Sequence, residues 1–82
     1  VTGGHALDFE GFAGYLSSGL RIEAETIKPE ARLIEDLGLD SMGLLEMVVL
    51  VEELGVRFPD GVVVGFETVG DVYREYGQRA LQ

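Results

Sequence analysis

Apolar residues recur at helical spacing in three separate stretches of this chain, whereas only one short run, Val62-Val63-Val64 between Gly61 and Gly65, has the local character of a strand. A lone strand has no partner to pair with, and an isolated strand is not stable in water. Packing helices against one another is therefore the solution left to the chain. The expectation is an all-α four-helix bundle with three main helices and a short, weak third helix.

The first main helix spans about Asp8 to Leu20, where Phe9, Phe12, Ala13, Leu16 and Leu20 share one stripe. Gly11 and Gly14 each lower its intrinsic propensity by about 1 kcal/mol relative to alanine, so its stability must come from packing. Residues 21–40 lose the period and form a long connection, with one helical turn expected about Pro29 to Leu33 because proline suits a first helical position. The second helix runs from about Ser41 to Leu54 and is apolar on two sides. Leu44, Met47, Val48, Val51 and Leu54 make the core face, while Met42, Leu45 and Val49 lie roughly opposite, flanked by Glu46, Glu52 and Glu53. If the first face is buried, the second is an apolar strip rimmed by carboxylates, which on a small domain marks a protein-binding surface. Burial on both sides is the alternative. Gly55 ends this helix, and residues 61–65 form a short, poorly made helix or turn. Thr68 and Asp71 resemble a capping box before a last helix carrying Val69, Val72, Tyr73, Tyr76 and Ala80. Eighty-two residues make one domain, 1–82, with residues 1–6 expected to be flexible.

Fifteen acidic residues against six basic ones give a formal charge of −9, which disfavours nucleic acid and anionic lipid and favours basic protein partners. Solubility alone is the plainer explanation of such acidity. The chain has no cysteine, which excludes disulfides, thiolate metal sites and a cysteine nucleophile. Its longest apolar run is Met47 to Val51, and the N-terminus lacks a secretion-signal layout, so a soluble, cytoplasmic monomer is expected. A start at Val1 is compatible with processing, trimming or excision from a longer polypeptide.

Ser41 is the residue where chemistry is expected. It stands at the start of the second helix, where unpaired N–H groups and the positive end of the helix dipole favour an attached phosphodiester. Plain N-capping is the alternative for a serine there, but Asp40 caps equally well and would leave the Ser41 hydroxyl free. Catalysis by Ser41 would need a base, and His5, near the N-terminus, is the one histidine. No catalytic residue and no metal site are expected, since the acids lack the spacing of a calcium loop and zinc ligands are missing.

The run Asp36-Leu37-Gly38-Leu39-Asp40-Ser41-Met42 resembles the acyl carrier protein signature. Glu46, Glu52-Glu53, Gly55-Val56, Pro59-Asp60 and Thr68-Val69 follow in the family's order, so the likeness covers nearly the whole chain. It implies a four-helix fold and a non-enzymatic carrier. On that likeness a phosphopantetheinyl transferase, using coenzyme A and magnesium, places 4′-phosphopantetheine on Ser41, which Asp40 flanks, and cargo is held as a thioester on the arm. Met42, Leu45, Glu46, Val49 and Glu53 then match the helix that meets basic patches on loading, condensing and tailoring enzymes. The loop before Pro59 is one residue shorter than in common members, Gly61 to Gly65 replaces an acidic third segment, and Gly43 replaces an acid. These departures point away from housekeeping fatty-acid synthesis toward a polyketide, aminoacyl or mixed pathway. A free-standing aminoacyl or peptidyl carrier, or an unmodified acidic docking module, are the alternatives.

Overall fold

The computed structural model describes residues 6–80; His5, and with it most of the stretch expected to be flexible, lies outside them. Ala6 is half-buried against the core. Among the described residues the elements are four helices and one short 3-10 turn: α1 (Phe9–Leu20), the turn at Ala24–Thr26, α2 (Ser41–Glu52), α3 (Asp60–Val63) and α4 (Val69–Ala80). The expected all-α bundle of three main helices and a short third one is the fold observed.

Asp8 begins α1, its Oδ1 accepting the Gly11 N–H at 2.8 Å. Phe12, Ala13 and Leu16 of its stripe are buried, and Phe9 and Leu20 pack at the edge of the core. Helix α4 presents Val69, Val72 and Tyr76 to the same interior. An aromatic seam joins the two: the Phe12 ring lies 5.1 Å from both Tyr73 and Tyr76, and Phe9 meets Tyr73 edge-on at 5.3 Å. The phenol ends are satisfied by the chain entering α1, since Leu7 N–H donates to Tyr76 Oη and Tyr73 Oη donates to the Leu7 carbonyl.

Three sequence expectations need correction. The helical turn forms at Ala24–Thr26, and the segment around Pro29 to Leu33 instead lies against the start of α4. Val69 N–H donates to the Ala31 carbonyl at 3.0 Å, Gly70 N–H to the Pro29 carbonyl at 2.8 Å, and Leu33 N–H to the Glu67 carbonyl at 2.9 Å. The unpaired N–H groups of α4 thus take the carbonyls of the loop, which an internal helical turn would have claimed for itself. Second, α2 closes at Glu52 and Leu54 falls in the turn that follows, where Gly55 adopts φ +104°. Third, Leu44 is only half-buried, leaving Met47, Val48 and Val51 as the core face of α2. The segment expected to be a short helix or turn is α3, which starts one residue earlier, at Asp60, and has no side-chain cap.

The Thr68–Asp71 capping box is present and reciprocal: Asp71 N–H donates to Thr68 Oγ1 at 3.2 Å and Thr68 N–H to Asp71 Oδ2 at 3.1 Å. Asp71 Oδ2 also accepts the Glu67 N–H, and this bond above all, with the Thr68 contacts and Arg74, holds the carboxyl below its ordinary range against the opposing effect of burial. A depressed carboxyl adds stability that is present above the unfolded value, near 3.8, and is lost as pH falls through the folded one. Asp71→Ala is expected to cost about 1 kcal/mol at neutral pH. The difference from the parent chain, read by denaturant titration, should shrink as the pH drops below about 4.

Candidate functional site

The loop 31–39 is built to present the residue after it. Leu33, Leu37 and Leu39 are buried anchors, and between them Ile34, Glu35 and Asp36 face solvent. Asp36 Oδ2 accepts the Arg32 N–H at 2.7 Å, and Leu37 and Leu39 N–H groups return to the Arg32 and Leu33 carbonyls, so the loop folds back on itself. Gly38 makes the return possible at φ +73°, a backbone region that glycine enters at no steric cost.

Asp40 then stands as the N-cap of α2. Its Oδ1 accepts the Gly43 N–H at 2.8 Å and its carbonyl accepts the Leu44 N–H. Capping is therefore done by Asp40, and Ser41, the first residue of the helix, is exposed. Among the described residues no protein group hydrogen-bonds the Ser41 hydroxyl, and the N–H groups of Ser41 and Met42 meet no protein acceptor. A free hydroxyl beside unpaired N–H groups at the positive end of a twelve-residue helix suits a covalently held phosphodiester. Nothing among the described residues activates that hydroxyl: they include no histidine, and no group of three or more metal-ligating side chains.

Met42, Leu45 and Val49 are 66%, 59% and 48% exposed, which makes them an open strip beginning next to Ser41. Glu46 lies on the strip and is exposed. Glu53 sits past the end of the helix and faces α1: burial first, and then the Glu53 carboxylate, push the Tyr15 phenol above its ordinary value. Tyr15 Oη donates to the Leu50 carbonyl at 2.6 Å, pinning α1 to the last turn of α2. Glu52, expected on the rim, instead turns toward the loop before α3, where its Oε2 accepts the Phe58 N–H at 3.1 Å.

Two exposed apolar residues escaped the sequence reading, Ile34 at 62% and Val64 at 84%. Ile34 follows the buried Leu33 in a compact loop, a position at which periodicity says nothing. Val64 caps α3 and lines a groove of about 540 Å³ that also includes Ser41, Leu45, Val48 and Phe58. Ser41 thus opens onto an apolar furrow between α2 and α3.

The two-faced reading of α2 gives a direct test. Val48→Ala is expected to lower stability by about 1–3 kcal/mol, whereas Leu45→Ala should change it by less than about 0.5 kcal/mol. Equal losses in urea denaturation would overturn the assignment of faces.

Comparison with known proteins agrees with this geometry. The family described as "Phosphopantetheine attachment site" matches residues 11–75. An acyl carrier protein of Saccharopolyspora erythraea is 46% identical over 65 residues, covering 78% of this chain and 68% of that protein. An acyl carrier protein of Helicobacter pylori is 34% identical over 67 residues, covering 80% and 86% respectively. The acyl carrier protein MbtL of Mycolicibacterium paratuberculosis is 38% identical over 60 residues, covering 72% and 67%. A cysteine-free chain would take its thiol from the prosthetic group of this family, and with the match running from α1 through most of α4, the chain belongs to the acyl carrier proteins: a carrier that works through 4′-phosphopantetheine and is not an enzyme.

Proposed function

We propose that Ser41 carries the 4′-phosphopantetheine arm, and that the whole of residues 1–82 acts as one monomeric carrier domain passing an acyl group between enzymes of a specialised polyketide or mixed pathway. The observation that carries the reading is the division of labour at the start of α2: Asp40 does the capping, and the neighbouring hydroxyl is exposed and without a protein partner. Ser41 Oγ would form the new bond to the phosphopantetheine phosphorus of coenzyme A as the pyrophosphate P–O bond breaks and adenosine 3′,5′-bisphosphate leaves, and the hydroxyl proton would pass to a base on the phosphopantetheinyl transferase, since the described residues include no histidine. Once bound, the arm supplies the thiol on which cargo is held as a thioester.

This chain's own residues do three things. Asp40 keeps the helix start in place. The N–H groups of Ser41 and Met42, which have no acceptor among the described residues, leave the positive end of α2 open to a phosphodiester charge. Met42, Leu45, Glu46, Val49 and Glu53 offer partner enzymes an apolar strip with carboxylates, which suits fast, weak docking on basic patches. The pathway reading rests on Gly61 to Gly65, where glycine and valine leave α3 short and Val64 bare. An aminoacyl cargo is the alternative. Incubation with a broad-specificity phosphopantetheinyl transferase, coenzyme A and magnesium should add one prosthetic group, seen by intact-protein mass spectrometry. No gain in mass would count against the proposal. Cargo released from the loaded native protein by mild base would name the pathway.

A further inference from the structure

Two peptide groups stand in series between the cap of α4 and the turn that leads to Ser41. The first joins Glu67 to Thr68. Its N–H, on Thr68, donates to Asp71 Oδ2 at 3.1 Å, and its carbonyl, on Glu67, accepts the Leu33 N–H at 2.9 Å. The second joins Arg32 to Leu33. Its N–H is the one just named, and its carbonyl accepts the N–H groups of Asp36 at 2.9 Å and Leu37 at 3.1 Å. Asp36 closes the same turn from its side chain by accepting the Arg32 N–H. Leu37 and Leu39 then anchor the chain in the core, and Asp40 and Ser41 follow. A peptide group that donates at one end and accepts at the other is polarised so that its two bonds strengthen each other, and an ionised acceptor at the head makes the first bond the strongest. That acceptor is held still, because Arg74 takes the other oxygen of Asp71 at 3.1 Å.

Building on the reading of Ser41 as the arm-bearing residue, we propose that Asp71 is a positioning residue for that modification: it holds the 32–37 turn, and through it the Ser41 hydroxyl, in the place where the transferase attacks phosphorus with it. Asp71 makes no hydrogen bond to Ser41 and takes no part in the chemistry. Its effect is on geometry. Transfer to phosphorus requires the hydroxyl in line and at contact distance, so a turn that wanders by about 1 Å slows the step sharply. The other supports of the loop do not replace Asp71. Gly70 and Val69 fix Pro29 and Ala31, which precede Arg32, whereas the series from Asp71 reaches the turn itself. Thr68 Oγ1 accepts the Asp71 N–H and caps the helix, but it lies outside the series. Cap strength and Ser41 positioning are therefore separable. Removing Thr68 Oγ1 weakens the start of α4 alone, and removing the Asp71 carboxylate weakens both.

The test compares the full chain with Asp71→Ala, Thr68→Ala and Asp71→Glu. Loading by transferase and coenzyme A is followed by intact mass with the carrier as the varied substrate, and amide hydrogen exchange is measured on the unloaded chains. A gain in mass by the parent chain reports the Ser41 proposal, and exchange reports the series without any transferase, so the two can fail separately. In Asp71→Ala, kcat is expected to fall at least about three-fold with KM within about two-fold of the parent, because the exposed strip of α2 is untouched. Exchange at Leu33, Asp36 and Leu37 should quicken in the same variant. Thr68→Ala, which removes the other half of the same cap, should keep the parent kcat and the parent exchange at those three amides. Glutamate is the usual partner in a capping box, so Asp71→Glu should bring kcat back to within about two-fold of the parent. A merely structural role lowers Tm in both alanine variants and leaves kcat alone, since nearly all molecules remain folded at room temperature. Unchanged kcat in Asp71→Ala, an equal loss in Thr68→Ala, no recovery in Asp71→Glu, or faster exchange confined to α4 would overturn the proposal.

Discussion

Ser41→Ala is expected to abolish loading completely: the variant should show no gain in mass under conditions in which the parent chain is fully converted. The effect is all-or-none because it removes the atom proposed to form the bond. It should not be confused with unfolding. Ser41 is exposed and makes no hydrogen bond through its hydroxyl among the described residues, and alanine is the best helix former at such a place. The cap of α2 belongs to Asp40, so thermal unfolding of Ser41→Ala should match the parent within about 0.5 kcal/mol. Asp40→Ala gives the opposite pattern, losing about 1 kcal/mol of stability while keeping an intact hydroxyl. Loading that persisted in Ser41→Ala would move the attachment point elsewhere. Of the two other serines, Ser17 is engaged with the Ile22 carbonyl, and Ser18 is exposed in the second half of α1, away from a helix start.

The largest loss of stability is expected from Phe12→Ala, about 3–5 kcal/mol. Phe12 is fully buried, lies against Tyr73 and Tyr76 across the seam between α1 and α4, and touches Phe9 on its own helix. Its removal leaves a void that the two tyrosines cannot fill, because their phenol ends are fixed by hydrogen bonds to Leu7. A chain of this length has a total margin of roughly 4–12 kcal/mol, so the variant should be largely unfolded at moderate urea or unstable at physiological temperature. Phe12→Leu, which keeps most of the volume, should lose much less. A loss below about 1 kcal/mol for the alanine variant would show that the seam is not the centre of the core.

Where a helix is long and one-sided, the chain announced it. The stripe of α1 and the capping box of α4 were legible because period and cap chemistry are local properties of the sequence, and both are present where expected. The arrangement of the candidate site was legible for the same reason: Asp40 and Ser41 are adjacent, either residue type can cap a helix, and it is Asp40 that does so. The open face of α2 was visible in Met42, Leu45 and Val49. What was not legible depends on contacts between distant parts. The Pro29–Leu33 segment looked like a helix start because Pro29 suits one, yet its carbonyls are taken by Val69 and Gly70, some forty residues later. Glu52 looked like part of the acidic rim until the Phe58 N–H claimed it.

The seam between residues 29–33 and 67–70 also couples the loop before Ser41 to the start of α4. Gly70 approaches so closely that a Cβ would stand 2.9 Å from the Pro29 oxygen, so no other residue type fits without displacing one of the two segments. In the folded chain the loop leading to Ser41 is therefore braced by the start of α4, which lies beyond α2 and α3 in sequence. A chain truncated before Thr68 would lack the N–H groups that bond the Pro29 and Ala31 carbonyls, and intact-protein mass spectrometry is expected to show it loaded more slowly than the full chain.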